Sequence, residues 1–148
     1  MKSKNLKTAA QLLIVCLIAF AACKKGLTYE YFRIKIDEIT VDGLLVDGEI
    51  HEYKWIYVGD SVVIRFHGVI GPNVCHEFGY FDLNVLEQPT KIEVQAWGKK
   101  FDDGNCHLTL EKPLLDDYVV VIPFKDPGTY TFYDFLQPDV ELLTIEVN

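Results

Sequence analysis

Two Cys-His dipeptides, Cys75-His76 and Cys106-His107, are the residue pairs best suited to chemistry in this chain of 148 residues. Four such ligands can hold zinc in a tetrahedral site, and the two cysteines can instead form one disulfide bond. Adjacent residues in a strand point to opposite faces, so cysteines close enough to pair would direct both histidines the other way. Strand geometry therefore favours the disulfide over the metal site.

Other catalytic and metal chemistries find little support. Ser61 is the single serine after Cys23, and it lies in a predicted turn without the Gly-x-Ser-x-Gly context that exposes a nucleophile. A copper site of the cupredoxin type would lack its usual axial ligand, because Met1 is the only methionine. His51 and His67 belong to separate predicted strands and are interpreted as surface or edge residues. We therefore expect a protein that is not an enzyme and that holds no metal or cofactor.

An aromatic row offers a different kind of site. Tyr53, Trp55 and Tyr57 alternate along the chain, so they share one face of an extended segment. Exposed rings would suit stacking on a sugar or contact with a protein partner, whereas buried rings would belong to the core. The opposite face carries both charged and apolar residues, which favours core packing but leaves ligand contact open.

Acidic residues form one further candidate. Residues 102–105 read Asp-Asp-Gly-Asn, and Asp116 and Asp117 follow, so hard oxygen ligands for calcium are available. The spacing does not match an EF-hand loop. We interpret residues 102–105 as the tip of an acidic hairpin and leave calcium binding open.

The first residues carry an export signal. Three lysines precede an apolar segment, Leu12–Cys23, that ends in small residues. This length fits a secretory signal, whereas a membrane-spanning helix needs about 20 apolar residues. We therefore expect the domain to lie outside the cytoplasm.

The sequence Phe20-Ala21-Ala22-Cys23 resembles the lipobox of bacterial lipoproteins. The resemblance implies cleavage before Cys23 and lipid attachment to that cysteine, which would hold the protein at the membrane. The predicted organisation is then a signal helix over residues 1–22, a short lipidated tether over 23–29 and one domain over 30–148. Lys24 stands where inner-membrane lipoproteins carry Asp, and no acidic export run follows. An outer-membrane lipoprotein facing the periplasm is therefore expected.

Cleavage would change both charge and cysteine content. Removing 22 of the 148 residues leaves 126, with 11 basic and 22 acidic side chains and a net charge of −11. Nucleic-acid binding needs a basic face and is not expected. Cys75 and Cys106 would remain as an even pair in an oxidising compartment, which favours a disulfide between them.

Most of the remaining sequence predicts strands. Alternating or β-branched runs are separated by turn residues at the spacing typical of a sandwich or barrel, and we find eight or nine of them and no amphipathic helix. The dipeptides Asp42-Gly43 and Asp47-Gly48 predict turns. The runs cover Tyr31–Ile39, His51–Val58, Val62–Ile70, Cys75–Leu86, Lys91–Trp97, Cys106–Leu110, Tyr118–Phe124, Thr129–Phe135 and Leu142–Val147.

One motif favours a sandwich. Asp126, Gly128 and Tyr130 have the Asp-x-Gly-x-Tyr spacing of a tyrosine corner, in which the tyrosine hydroxyl bonds back to the backbone. This resembles the penultimate strand of immunoglobulin-like domains, although Phe132 stands where an antibody domain has cysteine. The second half contains Gly71-Pro72-Asn73-x-Cys75-x-x-Phe78, a predicted strand ending near Gly98, Cys106 and Pro127-Gly128-Thr129-Tyr130. With these motifs it resembles small secreted bacterial β-sandwich domains, a resemblance that implies the Cys75–Cys106 bridge and no activity.

The predicted fold is an all-β, immunoglobulin-like antiparallel sandwich of about eight strands. The predicted function is a lipid-anchored binding or scaffolding module with an envelope protein or glycan as its partner. A small metal carrier and a carbohydrate-binding module are the alternatives.

Overall fold

The computed structural model describes residues 29–87, 90–101 and 111–148. The predicted signal helix, Cys23, Cys106 and the acidic residues 102–105 lie outside this part of the chain.

The described residues form nine strands in two sheets, which confirms the all-β prediction. The strands are β1 (Tyr29–Ile34), β2 (Glu38–Val46), β3 (Glu49–His51), β4 (Ser61–His67), β5 (His76–Glu87), β6 (Lys91–Phe101), β7 (Val119–Pro123), β8 (Gly128–Asp134) and β9 (Gln137–Val147). One short 3-10 turn, η1 (Leu115–Asp117), precedes β7. Sheet A contains β5, β6, β1, β8 and β9, and sheet B has the order β3-β2-β4-β7. The arrangement is that of a β-sandwich.

The core lies between the two sheets. Alternate residues of β6 are buried, as a strand with one face on the core requires, and Val62, Ile64 and Phe66 of β4 face them from sheet B. The largest fully buried side chains include Phe66 and Phe132. Burial of these apolar side chains holds the sheets together.

The first predicted strand is two strands in the structure. The chain leaves sheet A after Ile34 and enters sheet B at Glu38. Ile34 and Ile36 are both buried, and the Ile36 amide donates to the buried carboxylate of Asp134 at 3.3 Å. The alternation of buried and exposed residues continues from β1 into β2 because both sheets pack on the same core. The alternation therefore did not show that the chain changes sheets between Ile34 and Glu38.

The two Asp-Gly dipeptides behave differently. Asp47 and Gly48 both have positive φ and join β2 to β3 as a two-residue hairpin turn. The turn predicted at Asp42-Gly43 is wrong, because the dipeptide forms a bulge inside β2. Gly43 has a φ of +153°, and a Cβ there would lie 2.4 Å from the carbonyl oxygen of His51.

The sandwich is not wholly antiparallel, which corrects the prediction. β1 pairs antiparallel with the second half of β6, whereas β8 pairs in parallel with residues 91–94 on the same side. Between β6 and β8 the chain crosses to sheet B as β7 and returns. The two crossings bring β8 back in the direction of β6.

The β7–β8 connection carries the contact expected from the tyrosine motif. The Tyr130 hydroxyl donates to the backbone oxygen of Asp126 at 2.8 Å. Gly128 starts β8 with a φ of +146°. The Tyr130 ring packs on the buried Phe124, with ring centroids 4.5 Å apart.

Candidate functional site

The aromatic row lies on the segment between β3 and β4, beside the end of β9. The predicted strand His51–Val58 is mostly irregular here, and only Ile56 makes a bridge, in parallel with Val147. The Asn148 amide donates to the Ile56 oxygen at 2.9 Å, and the Val58 amide donates to the Asn148 oxygen at 3.1 Å. These bonds fix the segment along the free edge of sheet A.

This attachment exposes the rings. Ile56 is buried at 5% exposure, so its neighbours on the chain point away from the core. Tyr53, Trp55 and Tyr57 are 43%, 58% and 54% exposed. Core packing, the interpretation that the sequence favoured, is therefore wrong for this row.

A groove runs between the segment and β9, and we call it the edge groove. It has a volume of about 200 Å³. Its lining includes Tyr53, Trp55, Val41, Thr144 and Glu146. The Thr144 hydroxyl lies 2.5 Å from a Glu141 carboxylate oxygen and 3.3 Å from the Thr131 hydroxyl.

Such a lining supplies groups that can hold a ligand. Aromatic rings supply apolar faces at low conformational cost, and a few polar groups beside them fix the orientation of a ligand. The edge groove has both, since Tyr53 and Trp55 line it together with Thr144 and Glu146.

The predicted cysteine and histidine sites are only partly described. Cys75 is buried at 3% exposure. The Asn73 side-chain oxygen accepts from the Cys75 amide at 3.1 Å and lies 2.8 Å from Nδ1 of His76. Cys106 and His107 lie outside the described residues. Within residues 29–87, 90–101 and 111–148, no group of three or more His, Cys, Asp or Glu side chains could hold a metal ion.

A polar cluster that the sequence analysis missed lies on the outer face of sheet B. The Thr40 hydroxyl is 2.9 Å from Nε2 of His67, and Nδ1 of His67 is 3.4 Å from Asp116. Arg65 forms a two-pronged ion pair with Asp42 and donates to the Asp116 backbone oxygen. The hydrogen bond to Asp42 raises the pKa of Arg65. These contacts tie β2, β4 and η1 together.

The cluster has the hydroxyl, imidazole and carboxylate order of a hydrolase triad. Its hydroxyl, however, belongs to a β-branched residue within β2, whereas a nucleophile is normally raised on a sharp turn. We therefore assign the cluster a structural role. Finding it from sequence would have required the β2–β4 register, which pairs Thr40 with Arg65.

The remaining candidates lie apart from the groove. Ser61 begins β4 opposite Pro123, and His51 is exposed in β3. Asp116 and Asp117 belong to η1, while their predicted companions at 102–105 are not among the described residues. No helix in the described ranges is long and apolar enough to cross a membrane.

Comparison with known proteins gives no relative. No protein-family model, curated protein or solved structure matches this chain.

Proposed function

We propose that this protein is a lipid-anchored, non-enzymatic binding module of the bacterial cell envelope, and that the edge groove is its ligand site. The observation that carries the proposal is the exposure of three large aromatic side chains, Tyr53, Trp55 and Tyr57, on one segment. Because the buried side chain of Ile56 attaches this segment to the core, the three exposed rings have a fixed position. A fixed aromatic surface loses little entropy on binding.

The anchor is the lipid on Cys23 that the lipobox resemblance implies. Tyr29, where β1 begins, is only the sixth residue after Cys23. At about 3.3 Å per residue these six steps span about 20 Å, so the domain stays near the bilayer. Lys24 favours the outer membrane, with the domain facing the periplasm.

The fold proposed is immunoglobulin-like. The antiparallel β8–β9 pair with its Tyr130 contact, and the antiparallel β4–β7 pair, correspond to neighbouring strands of that fold. The parallel pairing of β6 with β8 departs from it. The domain would thus be a variant of the immunoglobulin-like sandwich.

A disulfide between Cys75 and Cys106 is part of the proposal. The Phe101 amide donates to the Cys75 oxygen at 3.1 Å. The chain therefore leaves β6 next to Cys75, five residues before Cys106. A bridge would close a loop of about 30 residues and stabilise the domain by about 3 to 4 kcal/mol.

A glycan is the ligand that the edge groove suits best. Trp55 and Tyr53 offer ring faces for stacking on a sugar, while Thr144 and Glu146 offer hydrogen-bonding groups beside them. A folded partner would need a much larger area than this groove supplies.

A glycan array probed with the purified full chain in detergent tests the proposal. We expect binding to a defined subset of glycans, and the substitution Trp55→Ala should weaken it about tenfold or more. Tyr31→Ala is the matched control, because Tyr31 is equally exposed, at 59%, and lies on β1.

Two results would contradict the proposal. One is binding that Trp55→Ala leaves unchanged, and the other is no binding to any glycan on the array. The anchor is tested separately by the mass of the membrane-extracted protein, where an unmodified Cys23 or an intact Met1 would refute it.

A further inference from the structure

A second aromatic surface lies on the outer face of sheet A along β1, β5 and β6, whereas the edge groove lies at the β9 edge of the sheet. The inward residues of β6 are buried, so Trp97 and Lys99 point outward. Their neighbours in register are Arg33 and Tyr31 on β1 and Tyr80 and Glu77 on β5. Tyr29, Tyr31 and Tyr80 are 46%, 59% and 49% exposed.

The centre of this surface is a stack of rings around one cation. The Arg33 guanidinium lies 4.3 Å from the Trp97 ring centre and 3.7 Å from that of Phe135. Tyr80 stacks on the other side of Trp97, at 6.1 Å and an interplanar angle of 21°. We call Tyr29, Arg33, Tyr80, Trp97, Lys99 and Phe135 the aromatic–cation face.

The charge of Arg33 is not neutralised within the described residues. Its Nε and Nη1 atoms are buried without a hydrogen-bond partner there, and no acidic side chain of the described ranges pairs with it. Lys99 lies 5.4 Å from the Tyr29 ring centre and pairs with Glu77 at 3.0 Å. The other acids on the outer face of sheet A lie further along β5 and β6, at Asp82 and Glu93, or on β9, at Glu141 and Glu146. Arg33 therefore contributes one uncompensated positive charge at this end of the sheet.

The aromatic–cation face lies close to the proposed lipid anchor. Tyr29 begins β1, six residues after Cys23. The tether reaches about 20 Å at most, so β1 enters the sheet close to the bilayer surface. Tyrosine and tryptophan concentrate at the membrane–water boundary, where an apolar ring with a polar tip is favoured. Lysine and arginine attract the phosphates of lipid headgroups there.

We propose that the aromatic–cation face lies against the membrane surface and orients the anchored domain. This inference rests on the lipid anchor of the proposed function. The lipid supplies most of the affinity for the membrane. The aromatic–cation face adds a weak contact, which is effective because the anchor keeps the domain at a high local concentration beside the lipid surface. β8 and β9 lie between this face and the segment that carries Trp55. The proposed contact therefore lies on the β1, β5 and β6 side of sheet A, whereas the edge groove lies at its β9 edge.

The two tryptophans of the chain make the orientation measurable. Trp97 lies on the proposed membrane face and Trp55 lies on the edge groove, and the chain contains no other tryptophan. Trp55→Phe leaves Trp97 as the sole reporter, and Trp97→Phe leaves Trp55. Each variant is produced from the full-length chain, extracted from membranes in detergent and reconstituted into vesicles of phosphatidylethanolamine and phosphatidylglycerol containing a lipid with a quencher near its headgroup.

We expect the quencher to reduce the emission of Trp97 by about twofold more than that of Trp55. Tyr31→Asp, in the Trp55→Phe background, should reduce this difference because it places an acid beside the headgroups. Val121→Asp is the matched control on the outer side of sheet B, where Val121 is 41% exposed. It should leave the quenching unchanged.

The outcomes separate the two proposals. If the protein fails to float with the vesicles, the lipid anchor is wrong and the membrane face is wrong with it. If it floats but Trp55 is quenched as strongly as Trp97, the anchor stands and the proposed orientation is overturned. If the Trp97 side chain is shielded from solvent only when envelope proteins are added, the aromatic–cation face binds a protein partner, and the membrane proposal is likewise overturned.

Discussion

Replacing Tyr130 by phenylalanine removes one hydroxyl and keeps the ring. In the structure this hydroxyl donates to the Asp126 backbone oxygen at 2.8 Å, at an exposed position in the turn before β8. The ring packs on Phe124 independently of the hydroxyl. The substitution therefore isolates the hydrogen bond that defines the tyrosine corner.

The magnitude follows from the exposure of this bond. A neutral hydrogen bond within a protein contributes about 1 kcal/mol net. The freed Asp126 oxygen can bind water, so the penalty of an unsatisfied buried group does not arise. We expect Tyr130→Phe to lower the free energy of unfolding by about 1 kcal/mol, or the Tm by about 4 °C for a domain of this size. Tyr130→Ala also removes the ring from Phe124 and should cost about 3 kcal/mol.

Urea denaturation followed by tryptophan fluorescence measures both losses. Tyr133→Phe is the matched control on the same strand, because no hydrogen bond within the described residues involves its hydroxyl and its ring lies 5.0 Å from the Lys91 amine. We expect the control to change the free energy of unfolding by less than about 0.5 kcal/mol.

Two outcomes would refute the reasoning. If Tyr130→Phe is no less stable than Tyr133→Phe, the corner bond contributes nothing and the motif has no energetic role. If Tyr130→Phe costs as much as Tyr130→Ala, the hydroxyl belongs to a larger buried network than the structure contains.

Three further predictions concern the core and the bridge. Burial raises the pKa of Asp134 in the folded protein, against the backbone hydrogen bonds that lower it. The free energy of unfolding should therefore fall as the pH rises from the pKa of Asp134 in the unfolded chain through its raised pKa in the folded protein. Asp134→Asn should remove this pH dependence, and parallel pH profiles of unfolding in the two proteins would contradict the prediction. Gly98→Ala places a Cβ 2.4 Å from Cζ of Phe32 and should lower the free energy of unfolding by about 1 to 3 kcal/mol. The double variant Gly98→Ala, Phe32→Leu should recover part of this stability. An equal loss of stability in both variants would show that the Phe32 ring is not the obstacle. Replacing Cys75 and Cys106 by serine should lower the free energy of unfolding by about 3 to 4 kcal/mol, and two free thiols in the denatured, unreduced parent would contradict the bridge.

The sequence alone determined the strand class and several local contacts. Alternating residues in β6 and the β-branched residues of β7 could be interpreted without tertiary information, because side-chain direction in a strand follows from local geometry. Asp47-Gly48 predicted its hairpin, since both residues must adopt positive φ there. The Asp126–Tyr130 contact was predictable because it joins residues only four apart.

Tertiary structure decided what depends on residues far apart in the chain. The aromatic row is exposed because Ile56 pairs with Val147, 91 residues later. The crossing between β1 and β2 was hidden because both sheets bury alternate residues against one core. The Asp42-Gly43 bulge and the parallel pairing of β8 depend on strand register and on the path of β7. The local propensity of a segment does not predict the bulge or the parallel pairing, because the partner strand supplies the contacts that stabilise them.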